Sequence, residues 1–285
     1  MEAIDRQTIR LHNGRRLGYA EWGDPNGYPL IYCHGWPSAR LEGRLAHHAG
    51  LATAVRVISP DRPGIGLSDY QFGRTVTHWP DDVAELADAL GLARFSVLGP
   101  SGGAPYAAAC AWKLRHRLTG VGLVAGIGPI DAPGATVGMS RANWWLFRVA
   151  GRLPWAPTAV MGVAAVRARR PERLLSGATV SDVDRPYWNR MKQVLEPTIA
   201  EAFRQGGKGQ ARELRLLTRP WGFRLEDIRA PVRLWHGERD PNSPVAMARH
   251  VAAMIPDCRA TYYPDEGHLF FVGERLTQIV RALRP

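Results

Sequence analysis

The junction at residues 95–103 limits this chain to few folds. Phe95–Leu98 reads as a buried strand, runs straight into Gly99-Pro100-Ser101-Gly102-Gly103, and gives way to an alanine-rich helical stretch reaching about Arg115. A strand that becomes a helix across so few residues must turn tightly. Gly99, Gly102 and Gly103 remove the side chains that would strike the neighbouring strand or helix. The turn lifts the Ser101 hydroxyl above the sheet and sets the helix N-terminus, with its free N–H groups and partial positive charge, beneath it. Ala104, Ala107, Ala108 and Ala109 let the helix lie close to the sheet, and Pro105 is tolerated in its first turn.

The rest of the chain continues the alternation of strand and helix. It predicts an α/β fold with a mostly parallel central sheet flanked by helices. Further strands are expected at Pro29–His34, Ala54–Ser59, Gly120–Ala125 and Val232–His236, with a short one at Thr261–Tyr263. Thr77–Leu92 is an expected helix, with Val83, Leu86, Ala87 and Leu90 at helical spacing, and a closing helix runs from about Gly273 to Leu283. Thr8–Leu11 and Arg16–Trp22 read as a hairpin around the turn pair Asn13-Gly14. A length of 285 residues suits one such domain carrying an insertion. With 45% hydrophobic and 22% charged residues the chain is not disordered.

The insertion is expected at 131–229, between a first core part (1–130) and a second (230–285). This stretch is helical in period but interrupted, and contains Trp144, Trp145, Trp155, Trp188 and Trp221. We read it as a helical lid whose tryptophans form its core and, in part, the roof of a pocket. It also holds most of the unusual charge. The chain has 37 basic and 26 acidic residues, a net of +11; residues 131–229 contribute 17 and 9, a net of +8. An arginine-favouring genome explains why only three of the basic residues are lysines, but not this concentration. The charge predicts a salt-sensitive preference for anionic substrates or a weak attachment to anionic surfaces. Arg167, Arg169 and Arg170 are expected on a solvated helix face. Nothing in the fold supplies an element that reads nucleic acid.

Two further segments complete a chemical set with Ser101. His236-Gly237-Glu238-Arg239-Asp240 places Asp240 on a loop past a strand's carboxyl end, and Glu266-Gly267-His268 places His268 after the next strand. Ser101, Asp240 and His268 stand in the Ser…Asp…His order of one class of hydrolase, distinct from two other orders of the same triad. A serine nucleophile also needs N–H donors for the oxyanion. The backbone N–H groups of Gly102 and of Trp36, in the loop His34-Gly35-Trp36-Pro37, are the candidates. Gly35 lets the backbone approach a substrate, and His34 is expected to brace the loop, because His268 already fills the base position.

These motifs resemble the α/β-hydrolase superfamily, in its serine-nucleophile branch of esterases and lactonases. The likeness runs from about residue 8 to 283. It includes the loop His34–Pro37, the connector Asp61-Arg62-Pro63-Gly64-Ile65-Gly66-Leu67-Ser68, the turn at Ser101, the segment ending at Asp240 and Glu266–His268. The resemblance implies a serine hydrolase of small carboxylic esters or lactones that needs no cofactor. Carbon–carbon bond hydrolysis, perhydrolysis and a non-catalytic small-molecule receptor are the alternatives. Related epoxide hydrolases and haloalkane dehalogenases share the His-Gly-Trp-Pro loop but carry an aspartate where Ser101 stands, which argues against both activities. Pro100 departs from many esterases and alters the wall beside the serine. Some relatives place the acid after an earlier strand, which makes Asp131 an alternative to Asp240.

No metal site is expected. His47-His48 lacks zinc spacing, and Cys33, Cys110 and Cys258 form neither a disulfide framework nor a metal knuckle. Their odd number fits a reducing cytoplasm. The charged stretch Met1–Gly14 does not read as a secretory signal, and no run approaches the roughly 18 apolar residues of a membrane span.

Overall fold

The structure, a computed structural model, describes residues 4–176 and 180–285. The first residues of the charged N-terminal stretch, 1–3, lie outside it, as do 177–179 in the predicted insertion.

Among the described residues, eight strands form one sheet: β1 (Ile4–Arg10), β2 (Arg16–Gly23), β3 (Tyr28–Tyr32), β4 (Val55–Pro60), β5 (Phe95–Pro100), β6 (Leu118–Val124), β7 (Val232–Gly237) and β8 (Cys258–Tyr263). Their order across the sheet is β1-β2-β4-β3-β5-β6-β7-β8. β2 runs antiparallel to both its neighbours, and β3 to β8 are parallel. The loops after β3, β4, β5, β7 and β8 therefore leave from one edge, the carboxyl edge, where open α/β sheets bind their ligands.

Among the described residues, ten α-helices accompany the sheet. The core carries α1 (His47–Thr53), α2 (Trp79–Ala89) and α3 (Ala104–Lys113), and after the insertion α9 (Val245–Met254) and α10 (Glu274–Leu283). α2, α3 and α9 bury their apolar residues on one face of the sheet, α1 and α10 on the other. α10 shows how the sequence dictates this. Leu276, Ile279, Val280 and Leu283 recur at intervals of three, one and three, and all four are buried. Removing each such side chain from water stabilises the fold by about 1.5–3 kcal/mol. α3 follows another logic: its alanines give no bulk, so the helix axis sits close above β5 and the serine turn.

Between β6 and β7 lie α4 (Arg141–Arg152), α5 (Ala156–Arg167), α6 (Pro171–Ser176), α7 (Arg185–Ala202) and α8 (Lys208–Leu217). Ser140 caps α4, its Oγ accepting the Asn143 N–H at 3.3 Å. Phe147, Met161, Ile199, Leu214 and Leu217 from these helices share one apolar cluster with Ala39, Ile65 and Ile127 of the carboxyl-edge loops. The helical segment is thus packed onto that edge. The expected tryptophan core is only partly there. Trp221 is buried and Trp188 half-buried; Trp145 lies open on the surface because α4 turns Phe147 and Ala150 inward instead, and Trp155, at the start of α5, is exposed too.

Candidate active site

Ser101 follows β5 directly, with φ of 50°. This left-handed conformation costs a non-glycine residue about 1–3 kcal/mol, which the surrounding structure must offset. A Cβ on Gly99 would stand 2.5 Å from the Gly103 carbonyl oxygen, and one on Gly103 would meet the Cys33 carbonyl more closely still. Both glycines are therefore required by the close passage of β5, α3 and the loop after β3.

His268, on the loop after β8, brings its Nε2 to 3.1 Å from Ser101 Oγ, while its Nδ1–H donates to Asp240 Oδ2 at 2.7 Å. Asp240 is buried, and its other oxygen accepts the backbone N–H groups of Asn242 (2.8 Å) and Ser243 (2.9 Å). His236, buried at the end of β7, donates to the Ser243 carbonyl at 2.7 Å and so steadies the same loop. Burial alone would lower the His268 pKa, but the charge and hydrogen bond of Asp240, with smaller help from Asp184 and Glu42, outweigh it and leave the imidazole above its usual 6.5. Hydroxyl, imidazole and carboxylate thus form the chain through which a serine can pass its proton to a base. Asp131, the alternative acid, is exposed and makes no bond to His268.

The loop after β3 lies opposite. The Cα of Gly102 is so near Trp36 that an added Cβ would fall 3.0 Å from the Trp36 nitrogen. Among the described residues the Trp36 N–H has no hydrogen-bond partner. Gly102 sits in the first turn after β5, where N–H groups lack intrahelical acceptors. The backbones of the two predicted donors thus lie side by side next to Ser101. His34 is fully buried; its Nδ1–H donates to the Gly35 carbonyl at 3.0 Å. Burial, then the Arg62 charge, push its pKa well below the usual value, so it is neutral. That suits a brace and not a proton carrier.

Three carboxylates escaped the sequence reading. Glu42, buried behind the loop, accepts the Gly35 N–H at 2.9 Å and the Tyr32 hydroxyl at 3.1 Å. Asp184, just before α7, accepts the Leu269 N–H at 2.6 Å, next to His268, and fills the space that a side chain on Gly267 would occupy. Glu213 of α8 pairs with Arg62 (2.6 Å) and Arg74 and accepts the Tyr106 hydroxyl (2.9 Å), all of it out of water. Arg62 in turn donates to the carbonyls of His34 and Gly35, the latter at 2.8 Å. The connector motif thereby acquires a role: its arginine couples a helix of the inserted segment to the loop beside the serine. A sequence shows none of these pairings, because Arg62 and Glu213 are 151 positions apart.

Ser101 and His268 open onto a cavity of about 560 Å³, lined also by Gly35, Trp36, Glu42 and Asp184 and roofed by residues of α4 and α7, among them Asn143, Phe147, Trp188 and Met191. Its titratable lining consists of Glu42, Asp184 and His268; no arginine or lysine faces it among the described residues. The basic side chains of 131–229 point elsewhere, and Arg167, Arg169 and Arg170 are exposed.

Comparison with known proteins places this geometry. A family model described as the alpha/beta hydrolase family matches residues 30–282. A non-heme chloroperoxidase of Streptomyces lividans is 31% identical over 125 residues, a match that spans 43% of this chain and less than half (45%) of that protein. A pimeloyl-[acyl-carrier protein] methyl ester esterase of Aromatoleum aromaticum is 28% identical over 252 residues, 86% of this chain and 92% of the relative. Among solved structures, a thermophilic esterase from Thermogutta terrifontis, with malate bound, superposes with a TM-score of 0.69 at 26% identity over 97% of both chains. With the family model spanning the sheet from β3 to α10 and every loop that carries the site, the chain belongs to the alpha/beta hydrolase family.

Proposed function

We propose that the chain is a serine hydrolase of small, neutral carboxylic esters or lactones, acting through an acyl-enzyme on Ser101, with residues 131–229 as its helical lid. The observation that carries this reading is the relay from Ser101 Oγ to His268 (3.1 Å) to Asp240 (2.7 Å) inside the cavity. His268 Nε2 takes the hydroxyl proton as Oγ attacks the substrate carbonyl. The oxyanion rests on the N–H groups of Trp36 and Gly102, while Asp240 holds and stabilises the imidazolium. His268 then returns the proton to the leaving alkoxide, and the alcohol departs. A water gives its proton to His268, attacks the acyl carbon, and the acid is released with Ser101 restored.

His268 must be neutral to accept the proton. Its pKa is raised above 6.5, so kcat/KM falls as the pH drops through that raised value and is level above it. Asp240→Asn removes the main cause of the raised pKa. It moves the inflection to lower pH and cuts kcat by about 10⁴-fold, whereas Asp131→Asn changes neither. A pH profile of the three proteins checks this, and the reverse pattern overturns the choice of acid.

The preference for neutral substrates replaces the anionic ones that the charge of 131–229 suggested. A carboxylate entering the cavity finds no arginine or lysine among the described residues and two buried carboxyl groups, Glu42 and Asp184. Like groups brought together out of water cost several kcal/mol. In a panel of esters and lactones, neutral acyl groups should exceed matched carboxylate-bearing ones in kcat/KM by at least about tenfold, which is about 1.4 kcal/mol. Equal or faster turnover of the anionic series contradicts the neutral preference, and turnover retained by Ser101→Ala contradicts the mechanism.

A further inference from the structure

The helical segment presents two unlike faces. Phe147 and Ala150 of α4 and Met161 of α5 pack into the cluster that holds Leu214 and Leu217 of α8. The opposite faces are bare. On α4, Arg141, Trp145, Arg148 and Arg152 recur at intervals of four, three and four, which puts them on one stripe, and all are exposed. Trp155 follows in the turn to α5 and is 65% exposed. Val160, Val163 and Val166 continue along α5 at intervals of three, the last two 56% and 65% exposed. Residues 153–166 contain no charged side chain, and residues 132–171 contain six arginines and no acidic residue. Among the described residues, none of those six arginines pairs with a carboxylate.

We infer that this outer face of α4, the turn at Trp155 and α5 is a docking surface for an anionic phospholipid bilayer. An exposed patch of tryptophan and valine bordered by arginine suits the interface of a membrane, with the apolar side chains among acyl chains and the guanidiniums at phosphate level. Charge decides against a second copy of this chain: a two-fold contact would lay the same arginines against one another with no carboxylate between them. The attachment is peripheral, since among the described residues no helix is long and apolar enough to cross a membrane. Asn143 and Phe147 of α4 line the cavity, so a bilayer held at this face would lie against its roof. The docking does not depend on the chemistry at Ser101.

Sedimentation of the full chain with vesicles tests it, using phosphatidylcholine alone or in equal parts with phosphatidylglycerol. The protein should sediment with the mixed vesicles, stay in solution with phosphatidylcholine alone, and be released by salt. Two double variants separate the contributions: Trp155→Ser with Val163→Ser, and Arg148→Glu with Arg152→Glu. Each should weaken binding to the mixed vesicles by about tenfold or more, with thermal unfolding matching the parent to show that the fold is kept. Absence of binding to the mixed vesicles overturns the inference, as does binding that either variant leaves intact. Self-association that the apolar variant abolishes, without vesicle binding, assigns the face to a second copy and also overturns it.

Discussion

Ser101→Ala lowers kcat for a neutral ester by about 10⁴- to 10⁶-fold. The substitution removes the one oxygen that stands 3.1 Å from His268 Nε2, and no other hydroxyl bonds to that nitrogen among the described residues. What survives is the contribution of the Trp36 and Gly102 N–H groups and of the cavity walls, which can still favour attack by water. Stability should move by less than about 1 kcal/mol, because alanine keeps the same strained turn and strands no buried polar partner other than the His268 nitrogen. Steady-state kinetics beside thermal unfolding of the same preparation therefore separate lost chemistry from lost fold. A variant that turns over ester at the parent rate contradicts the acyl-enzyme.

Glu213→Ala destabilises the fold by about 3–5 kcal/mol. The carboxylate is fully buried between Arg62 and Arg74, and its removal leaves two guanidiniums out of water with no counter-charge. For a domain of this size the melting temperature should fall by about 10 °C. Burial alone would raise the Glu213 pKa, but the two arginines outweigh it and hold the carboxyl below its usual 4.5. Its contribution is therefore complete above pH 4.5 and is lost as the pH falls through the folded-state value. Because Arg62 also grips the His34 and Gly35 carbonyls, the variant should lose kcat at temperatures where it is still folded, with KM changed little. An unchanged melting temperature at neutral pH would contradict the account of this network.

The core of the fold was legible because its pattern is local. The buried run Phe95–Leu98, the glycines around Ser101 and the apolar spacing of α2 and α10 each specify their own element. Both edge strands were underestimated for the converse reason. β1 and β8 are largely exposed, so Ile4–Gln7 and Cys258–Ala260 carry no apolar alternation to mark them. Ser101, Asp240 and His268 could be read because each follows a recognisable strand. Glu42, Asp184 and Glu213 could not, since an acidic residue in a helical stretch looks the same in water or in a buried pair. The direction in which the surplus charge points was hidden for a similar reason. Composition placed it in 131–229, but only packing decides which face of a helix turns inward, and α4 and α5 turn their arginines away from the serine.

The most direct measurement is mass-spectrometric mapping of the chain after exposure to a fluorophosphonate, which phosphonylates an activated serine with loss of fluoride. The account predicts one phosphonyl group, on Ser101, formed quickly in the parent and far more slowly in His268→Ala. A parent chain that stays unlabelled, or one labelled at Ser101 as fast without His268 as with it, would contradict an activated Ser101 nucleophile.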